Sequence, residues 1–177
     1  MANHRPIPNS GAASSSSAIT LRAAASSDAA DIADVYWRSR TELVACAPLT
    51  HTFEEVREWI TDLLIPSGEV VVALIADRLV GLSATSSAYG VMWLDQLYVD
   101  PTFVGRGVGA ALLDDAIARA SEHTTVQLYT FSDNARARAF YERHRFAVIA
   151  QGDGSSNEEG VPDVLYQRRP CAPDLKR

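Results

Sequence analysis

The chain has 177 residues, 47% of them hydrophobic, which is enough for one domain with a hydrophobic core. No apolar run reaches the length that spans a bilayer, so a membrane-spanning protein is not expected. The 16 basic and 22 acidic residues give a net charge of −6, which argues mildly against nonspecific nucleic-acid binding and is compatible with a neutral or cationic substrate.

The cysteine and histidine positions argue against disulfides and metals. Cys46 and Cys171 lie far apart in the sequence and in no metal-ligand spacing, so neither a disulfide framework nor a bound metal is expected. The four histidines show no spacing that would place two of them on one helix face. The cytoplasm, a reducing compartment, is therefore the expected location.

Hydrophobic periodicity divides the chain into strands and helices of ordinary length. Alternating and β-branched runs predict strands at 19–23, 70–75, 79–85, 91–99, 126–131, 146–150 and 164–167. Helices are predicted at about 28–37, 53–65, 107–122 and 135–143, the second of them opening with Thr52 and Glu55 in capping-box spacing.

This order of elements predicts the fold class and the domain limits. Antiparallel hairpins come first and strand–helix–strand units follow, which predicts an α/β fold of the mixed α+β kind. We expect one central, mostly antiparallel mixed sheet of six or seven strands flanked by about four helices. Residues 1–18 are expected to be a disordered tail, residues 19–169 the domain, and residues 170–177 a second tail.

The most informative segment joins the predicted strand at 91–99 to the helix that follows, through Gly105, Gly107 and Gly109. Glycine reaches positive φ angles and lets a ligand approach the backbone closely. The start of a helix offers unpaired N–H groups and the positive end of the helix dipole. The segment therefore predicts a site for a ligand that carries phosphate groups.

Spacing alone leaves several interpretations of this glycine turn open. It can be a tight strand-to-helix connection that binds nothing, because short connections of this kind commonly use glycine. The spacing of Gly105, Gly107 and Ala110 also fits a dinucleotide fingerprint, although that fingerprint normally opens a strand–helix–strand unit. No G-K-[ST] sequence is present, so a Walker A loop is excluded.

A further interpretation combines the turn with the strand before it. Gly107 and Gly109 resemble the glycine positions of the acyl-CoA-binding motif [Q/R]-x-x-G-x-[G/A] of GNAT-type N-acetyltransferases. In that family a strand ending in hydrophobic-x-Val-x-Pro precedes the motif, and Leu97-Tyr98-Val99-Asp100-Pro101 matches this strand end. Val104 stands where the family usually has Gln or Arg. This departure removes a side-chain contact but leaves the backbone amides in place.

A second stretch, at the right distance along the chain, resembles the same family. Residues 134–146 resemble the pattern N-x-x-A-x-x-F-Y-E-x-x-G-F, with Asn134, Tyr141 and Phe146 at matching positions. Arg145 replaces the glycine of the pattern, so the helix must end differently or at a small cost in stability. The resemblance covers about residues 19–169 and implies acetyl transfer from acetyl-CoA to the amine of a small molecule or a protein.

The resemblance also implies a donor site built largely from main-chain groups. In that family the amides at the helix start hold the pyrophosphate, the strand backbone at Leu97 and Val99 pairs with the pantetheine arm, and the amide at about Val99 polarises the thioester carbonyl. The residues implied to bind the coenzyme are Leu97, Tyr98, Val99, Val104, Gly105, Arg106, Gly107, Val108, Gly109, Ala110, Asn134 and Tyr141.

Two residues are candidates for the proton transfers. The resemblance implies that Tyr141 protonates the departing thiolate, while a purely structural aromatic role stays open. Asp95 is the candidate base, because strand alternation places it on the face of Trp93, Leu97 and Val99, among apolar neighbours that raise the pKa of a carboxylate. A structural role for Asp95, with a water chain carrying the proton instead, also stays open.

The acceptor site is less well defined by the sequence. His51 and Glu54, at the start of the second helix, are candidate substrate contacts. The acidic loop that holds Glu158, Glu159 and Asp163 is either a solvated turn or attracts a cationic amine. Neither cysteine lies beside a plausible base, so we expect direct attack in a ternary complex rather than an acyl-enzyme.

Two other functions stay open at this point. A related fold could sense acyl-CoA without turnover, and the glycine spacing leaves a dinucleotide-dependent oxidoreductase as a further alternative. The expected partner is an amine acceptor, with no nucleic acid, no membrane and no metal, and the expected assembly is a monomer or a homodimer.

Overall fold

A computed structural model describes residues 18–120 and 124–170 and shows, within them, one seven-stranded sheet. The strands are β1 (Ile19–Ala23), β2 (Val70–Ile75), β3 (Arg78–Ala88), β4 (Val91–Val99), β5 (Thr125–Phe131), β6 (Ala147–Gly152) and β7 (Asp163–Arg168). The predicted fold class, a mostly antiparallel mixed sheet, is confirmed.

The described residues form four α-helices: α1 (Ala29–Leu43), α2 (Phe53–Trp59), α3 (Val108–Arg119) and α4 (Ala135–Arg143). The predicted capping box opens α2: the Glu55 N–H donates to the Thr52 hydroxyl at 3.3 Å, and the Thr52 N–H donates to the Glu55 carboxylate at 2.7 Å. Residues 1–17, 121–123 and 171–177 lie outside the described residues, so both predicted tails and the predicted end of the third helix fall largely there.

The strands follow the order β1-β2-β3-β4-β5-β7-β6, and β4 and β5 are the parallel neighbours among them. Their pairing is short, because it joins only residues 91–93 to residues 125–127. Both strands continue well past this point, β4 to Val99 and β5 to Phe131. The middle of the sheet therefore opens into a gap at the carboxyl ends of these two strands.

Helices cover both faces of the sheet. On one face α1 and α2 bury an apolar cluster that includes Ile32 and Val56. On the other face α3 and α4 bury Leu112 and Tyr141 against the strands. Gly81 of β3 lies beneath α3, where an added Cβ would come within 3.1 Å of the Leu112 Cδ1. The missing side chain at Gly81 thus lets α3 approach the sheet closely.

A β-bulge at Asp95 interrupts the pairing of β4 with β3, where the register shifts and Asp95 has no partner. Leu97 and Val99 consequently pack toward α3. Asp95 projects to the opposite face, where it hydrogen-bonds to Ser86, the register partner of Trp93. The prediction that Asp95 shares a face with Trp93 agrees with this geometry. The prediction that it shares a face with Leu97 and Val99 is wrong, because a bulge reverses the alternation.

The end of α4 is a Schellman motif with Arg145 in the left-handed position. The Phe146 N–H donates to the Tyr141 carbonyl and the Arg145 N–H to the Glu142 carbonyl, each at 3.1 Å. Arg145 has a φ of +66°. The Phe146 and Tyr141 rings pack with their centroids 5.8 Å apart, which completes the motif. The helix therefore ends in the motif that usually contains glycine, but with Arg145 in a conformation that L-residues disfavour.

Candidate active site

The gap between β4 and β5 forms a cleft of about 640 Å³, a size typical of small-molecule sites. The end of β4, the glycine turn and α4 form one wall, and α1 with the loop before β7 forms the other. The predicted site residues that line this cleft are Asp95, Leu97, Tyr98, Val99, Val104, Gly105, Gly107, Gly109, Ala110, Asn134 and Tyr141.

The glycine turn begins with a type II β-turn. Val104, with φ −64° and ψ 143°, is followed by Gly105 at φ +80°. The Arg106 N–H closes this turn on the Phe103 carbonyl at 3.3 Å. Glycine is required at the third position, because the turn needs a positive φ there.

The first turn of α3 supplies backbone donors to the same wall. Gly107 is the N-cap residue with a φ of +86°, and its carbonyl accepts from the Ala111 N–H at 2.9 Å. The N–H groups of the three residues between them have no acceptor inside the helix. These donors and the positive end of the helix dipole suit a diphosphate.

The end of β4 adds an unpaired strand edge. The Asp100 N–H donates to a β3 carbonyl at 2.9 Å. Alternation along β4 then directs the backbone groups of Tyr98 toward β3 and those of Leu97 and Val99 toward the cleft. The Tyr98 side chain lies on the α1 face, where its ring packs 4.7 Å from a tyrosine of α1. Leu97 and Val99 thus offer main-chain groups to a ligand in the cleft, whereas the main-chain groups of Tyr98 pair with β3 and its ring lies on the α1 face.

Tyr141 lies on α4 with its side chain against the cleft and is 8% exposed. Burial raises the pKa of its phenol far above the usual value, so the hydroxyl keeps its proton throughout the neutral range. Asn134 caps the same helix by accepting the Ala137 N–H at 3.1 Å. The arrangement can donate a proton to a group in the cleft.

Asp95 combines solvent contact with a raised pKa. Its side chain is exposed, but it faces the concave cleft rather than open surface. Desolvation by the surrounding protein raises the pKa of the carboxyl, and the hydrogen bond from Ser86 opposes this shift. A carboxylate with a raised pKa is a stronger base, which suits removal of a proton from an amine.

Two residues of the predicted donor site do not present their side chains to the cleft. The Val108 side chain is 1% exposed and lies in the core beneath α3, so only its backbone N–H can reach a ligand. The Arg106 guanidinium lies over the Phe103 ring, 5.0 Å from its centroid.

The two predicted acceptor contacts also lie outside the cleft lining. The His51 Nε2 is 3.0 Å from an oxygen of Glu158, and this exposed pairing raises the pKa of His51. Glu54 accepts a hydrogen bond from Arg57 at 2.7 Å. His51 thus links the segment before α2 to the loop before β7, whereas Glu54 pairs within its own helix.

Sequence reasoning missed Arg40 of α1, whose side chain is 4% exposed and lines the cleft. Its Nη2 donates to the Pro48 carbonyl at 3.0 Å and to Glu159 at 3.1 Å. Its guanidinium carbon lies 5.4 Å from the centroid of the Phe131 ring. The helical periodicity does indicate that Arg40 is buried, because it lies eight residues after Ile32 and so falls on the buried stripe of the helix.

Within residues 18–120 and 124–170, no group of three or more His, Cys, Asp or Glu residues could hold a metal ion. In the same part of the chain, no helix has both the length and the apolar character needed to cross a membrane.

The sequence has relatives among acetyltransferases. A family model for the acetyltransferase (GNAT) family matches residues 30–146. Mycothiol acetyltransferase from Beutenbergia cavernae is 42% identical over 71 residues, which is 39% of this chain and 23% of that protein. The chain therefore matches only about a quarter of the length of that relative.

Solved structures share the fold. Ard1 from Thermoplasma volcanium has a TM-score of 0.69 at 20% identity, with 86% of this chain and 98% of that chain covered. PaiA N-acetyltransferase from Thermoplasma acidophilum, in complex with coenzyme A, has a TM-score of 0.70 at 16% identity, with 86% and 99% covered. Because the family model spans most of the described residues and both acyl-CoA motifs, the chain belongs to the acetyltransferase (GNAT) family, whose acetyl donor is acetyl-CoA.

Proposed function

We propose that this protein is an N-acetyltransferase that moves the acetyl group of acetyl-CoA onto an amine by direct attack in a ternary complex. The observation that carries the proposal is the convergence of three features in one cleft. The free amides of the glycine turn, the open edge of β4 and the buried Tyr141 hydroxyl all border it. Because the cleft passes through a gap in the sheet, a donor and an acceptor can meet there from opposite faces.

The end of β4, the glycine turn and α4 form the donor half of the cleft. This half fits an acyl-CoA through its backbone. The helix-start amides at Gly107 to Ala110 suit the pyrophosphate, and the open edge at Leu97 and Val99 suits the amide groups of a pantetheine arm. Bound there, acetyl-CoA supplies an acetyl group activated as a thioester. Side chains contribute little, which explains why Val104 can stand where the family usually has Gln or Arg.

Proton transfers complete the chemistry. The acceptor arrives as an ammonium ion and must lose one proton before its nitrogen can attack, and we assign this proton to Asp95, either directly or through water. The thiolate that leaves takes a proton from the phenol of Tyr141, and the second proton that the nitrogen loses as the amide forms restores that phenol. A backbone amide near Val99 donates a hydrogen bond to the oxyanion that forms on the thioester carbonyl and so stabilises it.

Direct attack is favoured over a covalent intermediate. Cys46 lies between α1 and α2 and is not among the residues that line the cleft. A thiol outside the cleft cannot accept the acetyl group from a donor bound within it. Cys171 lies outside the described residues.

Three further expectations belong to this proposal. The acceptor is an amine rather than a nucleic acid, the protein works as a monomer or homodimer, and it acts in the cytoplasm. Family membership favours acyl-CoA over a dinucleotide as the ligand of the glycine turn. A sensor that binds acyl-CoA without turnover is the remaining alternative, and release of free thiol separates it from an enzyme.

The test is calorimetric titration with acetyl-CoA and with NADH, followed by a free-thiol assay with a panel of amines. We expect acetyl-CoA to bind and NADH not to bind, and at least one amine to release coenzyme A. Absence of any affinity for coenzyme A or its thioesters contradicts the proposal. Tight binding with no thiol release from any amine identifies a sensor instead.

A matched pair of variants separates donor binding from stability. Gly107 and Gly68 both have left-handed φ angles, +86° and +77°, and an added Cβ meets nothing closer than 3.8 Å at either position. Alanine therefore destabilises both by a similar ~1–2 kcal/mol. Only the Gly107→Ala variant should also weaken acetyl-CoA binding, because Gly68 lies outside the cleft. Equal affinity in the two variants contradicts a role for the glycine turn.

A further inference from the structure

We call the part of the cleft on the α1 face of the sheet the acceptor half; it is lined by Asp95, β5, the end of α1 and the loop before β7. An aromatic surface borders this half. Tyr129 and Phe131 lie two residues apart on β5 and so project on the same face of the sheet. The contact between Phe131 and Arg40 shows that this is the α1 face. The Tyr129 ring is 57% exposed and stacks on Trp93 of β4, with centroids 5.8 Å apart and planes 6° from parallel. A large flat apolar surface therefore lies beside the gap in the sheet.

The opposite side of this half is also apolar. Leu43 and Val44, at the end of α1, line the cleft across from β5. A substrate with a hydrocarbon or aromatic body would bury that body between Tyr129 and these two side chains.

Charge on this side favours a cation and disfavours a carboxylate. Among described residues, three carboxylates line the acceptor half, those of Asp95, Glu159 and Asp163, against one guanidinium, that of Arg40. Arg40 is already engaged by Glu159 and Pro48, and its Nε is fully covered by protein and has no hydrogen-bond partner. Arg136 and Arg143 also line the cleft, but they lie on α4, in the donor half. A substrate carboxylate in the acceptor half would therefore find no accessible cation beside it and would meet the negative groups of Asp95 and Asp163.

Resting on the proposed function, we propose that the acceptor is a primary amine on an apolar or aromatic framework, with no carboxylate beside the amine. The framework packs on Tyr129 and against the end of α1, and the ammonium group faces Asp95. In the reaction the ammonium loses one proton to the base and the nitrogen forms the new C–N bond. The C–S bond breaks, and the thiolate takes a proton from Tyr141 to become free coenzyme A. The second proton that the nitrogen loses as the amide forms restores the Tyr141 phenol.

Three compounds and one control ester test this with the full-length protein and acetyl-CoA. 2-Phenylethylamine has the proposed form, L-phenylalanine adds a carboxylate to it, and 1,5-diaminopentane removes the aromatic body. We expect kcat/KM for 2-phenylethylamine to exceed that for each of the others at least tenfold in a free-thiol assay. L-phenylalanine methyl ester, which masks the carboxylate, should recover most of the loss.

The outcomes separate this inference from the proposed function. Preferred turnover of L-phenylalanine or of the diamine overturns the inference and leaves the acetyltransferase function standing. No thiol release with any amine overturns both. Preferred turnover of 2-phenylethylamine supports both.

Variants of Tyr129 test the aromatic surface itself. Tyr129→Ala should raise KM for 2-phenylethylamine about three- to tenfold and leave KM for 1,5-diaminopentane nearly unchanged, whereas Tyr129→Phe should retain the parent KM. Tyr89→Ala is the matched control, because Tyr89 is fully exposed and is not among the residues that line the cleft. Equal effects of Tyr129→Ala on both amines contradict the proposed packing.

Discussion

Replacing Arg145 by glycine should stabilise the protein. The residue holds the left-handed position of a Schellman motif at a φ of +66°. A left-handed conformation costs an L-residue about 1–2 kcal/mol, and glycine avoids this cost. Glycine also gives the unfolded chain more freedom, which offsets about 0.4–1 kcal/mol. The net gain is about 0.5–1 kcal/mol, which raises Tm by about 1–4 °C for a chain of this size.

Thermal unfolding followed by circular dichroism measures the gain, and Arg145→Ala is the matched control. Alanine removes the same guanidinium but keeps a Cβ, so it relieves no backbone strain and its Tm should stay close to that of the parent. The control is needed because Arg145 lines a small surface cavity with Arg143 and Arg168, and removing one of three like charges could itself stabilise the fold. A gain in Arg145→Ala equal to that in Arg145→Gly would refute backbone strain as the cause.

Three further substitutions have defined outcomes. Tyr141→Phe should lower kcat about 10²-fold or more, because general acid catalysis contributes on that scale, and should leave the acetyl-CoA affinity measured by calorimetry unchanged. An unchanged kcat would show that Tyr141 takes no part in the mechanism. The hairpin turn Ala76-Asp77 has left-handed φ angles of +48° and +61°. The double variant Ala76→Asn, Asp77→Gly should stabilise the protein by about 1 kcal/mol, and an unchanged Tm would contradict backbone strain at this turn. Asp100 is 2% exposed; burial alone raises the pKa of its carboxyl, but hydrogen bonds from Thr102 and two nearby arginines outweigh burial and lower it. The pKa of Asp100 is lower in the folded than in the unfolded state, so its contribution to the free energy of unfolding is complete at neutral pH and is lost as the pH falls below about 4. Asp100→Asn should therefore lower the free energy of unfolding, measured in urea, by about 1.5–3 kcal/mol at pH 7 and by progressively less in acid.

The order and type of the elements could be predicted from the sequence because each carries a local signal. The capping box at Thr52 is formed by contacts within three residues, and the apolar stripe of α3 is a periodicity that lies within one helix. The two acyl-CoA motifs are equally local, and they place Gly107 and Tyr141 on the wall of one cleft.

The details that were missed depend on contacts between distant segments. Asp95 projects to the α1 face because of a bulge, and nothing in the alternation of β4 marks where the pairing with β3 slips. Arg40 is buried where it meets the Pro48 carbonyl, from the segment just after α1, and the carboxylate of Glu159, which is 119 residues away in sequence. His51 lies next to Glu158 for the same kind of reason, 107 residues away in sequence. Local patterns predict elements, but only the packed sheet brings these partners together.

The position of Arg40 limits how the specificity of such an enzyme can change. Its single guanidinium is hydrogen-bonded both to the segment after α1 and to the segment before β7, so one side chain holds these two borders of the acceptor half together. An insertion that draws Glu159 away leaves a buried cation without its counter-charge, which costs about 3–5 kcal/mol. Divergence toward new acceptors is therefore expected to proceed by changing residues between the anchors, or by replacing arginine and glutamate together, rather than by lengthening either segment alone.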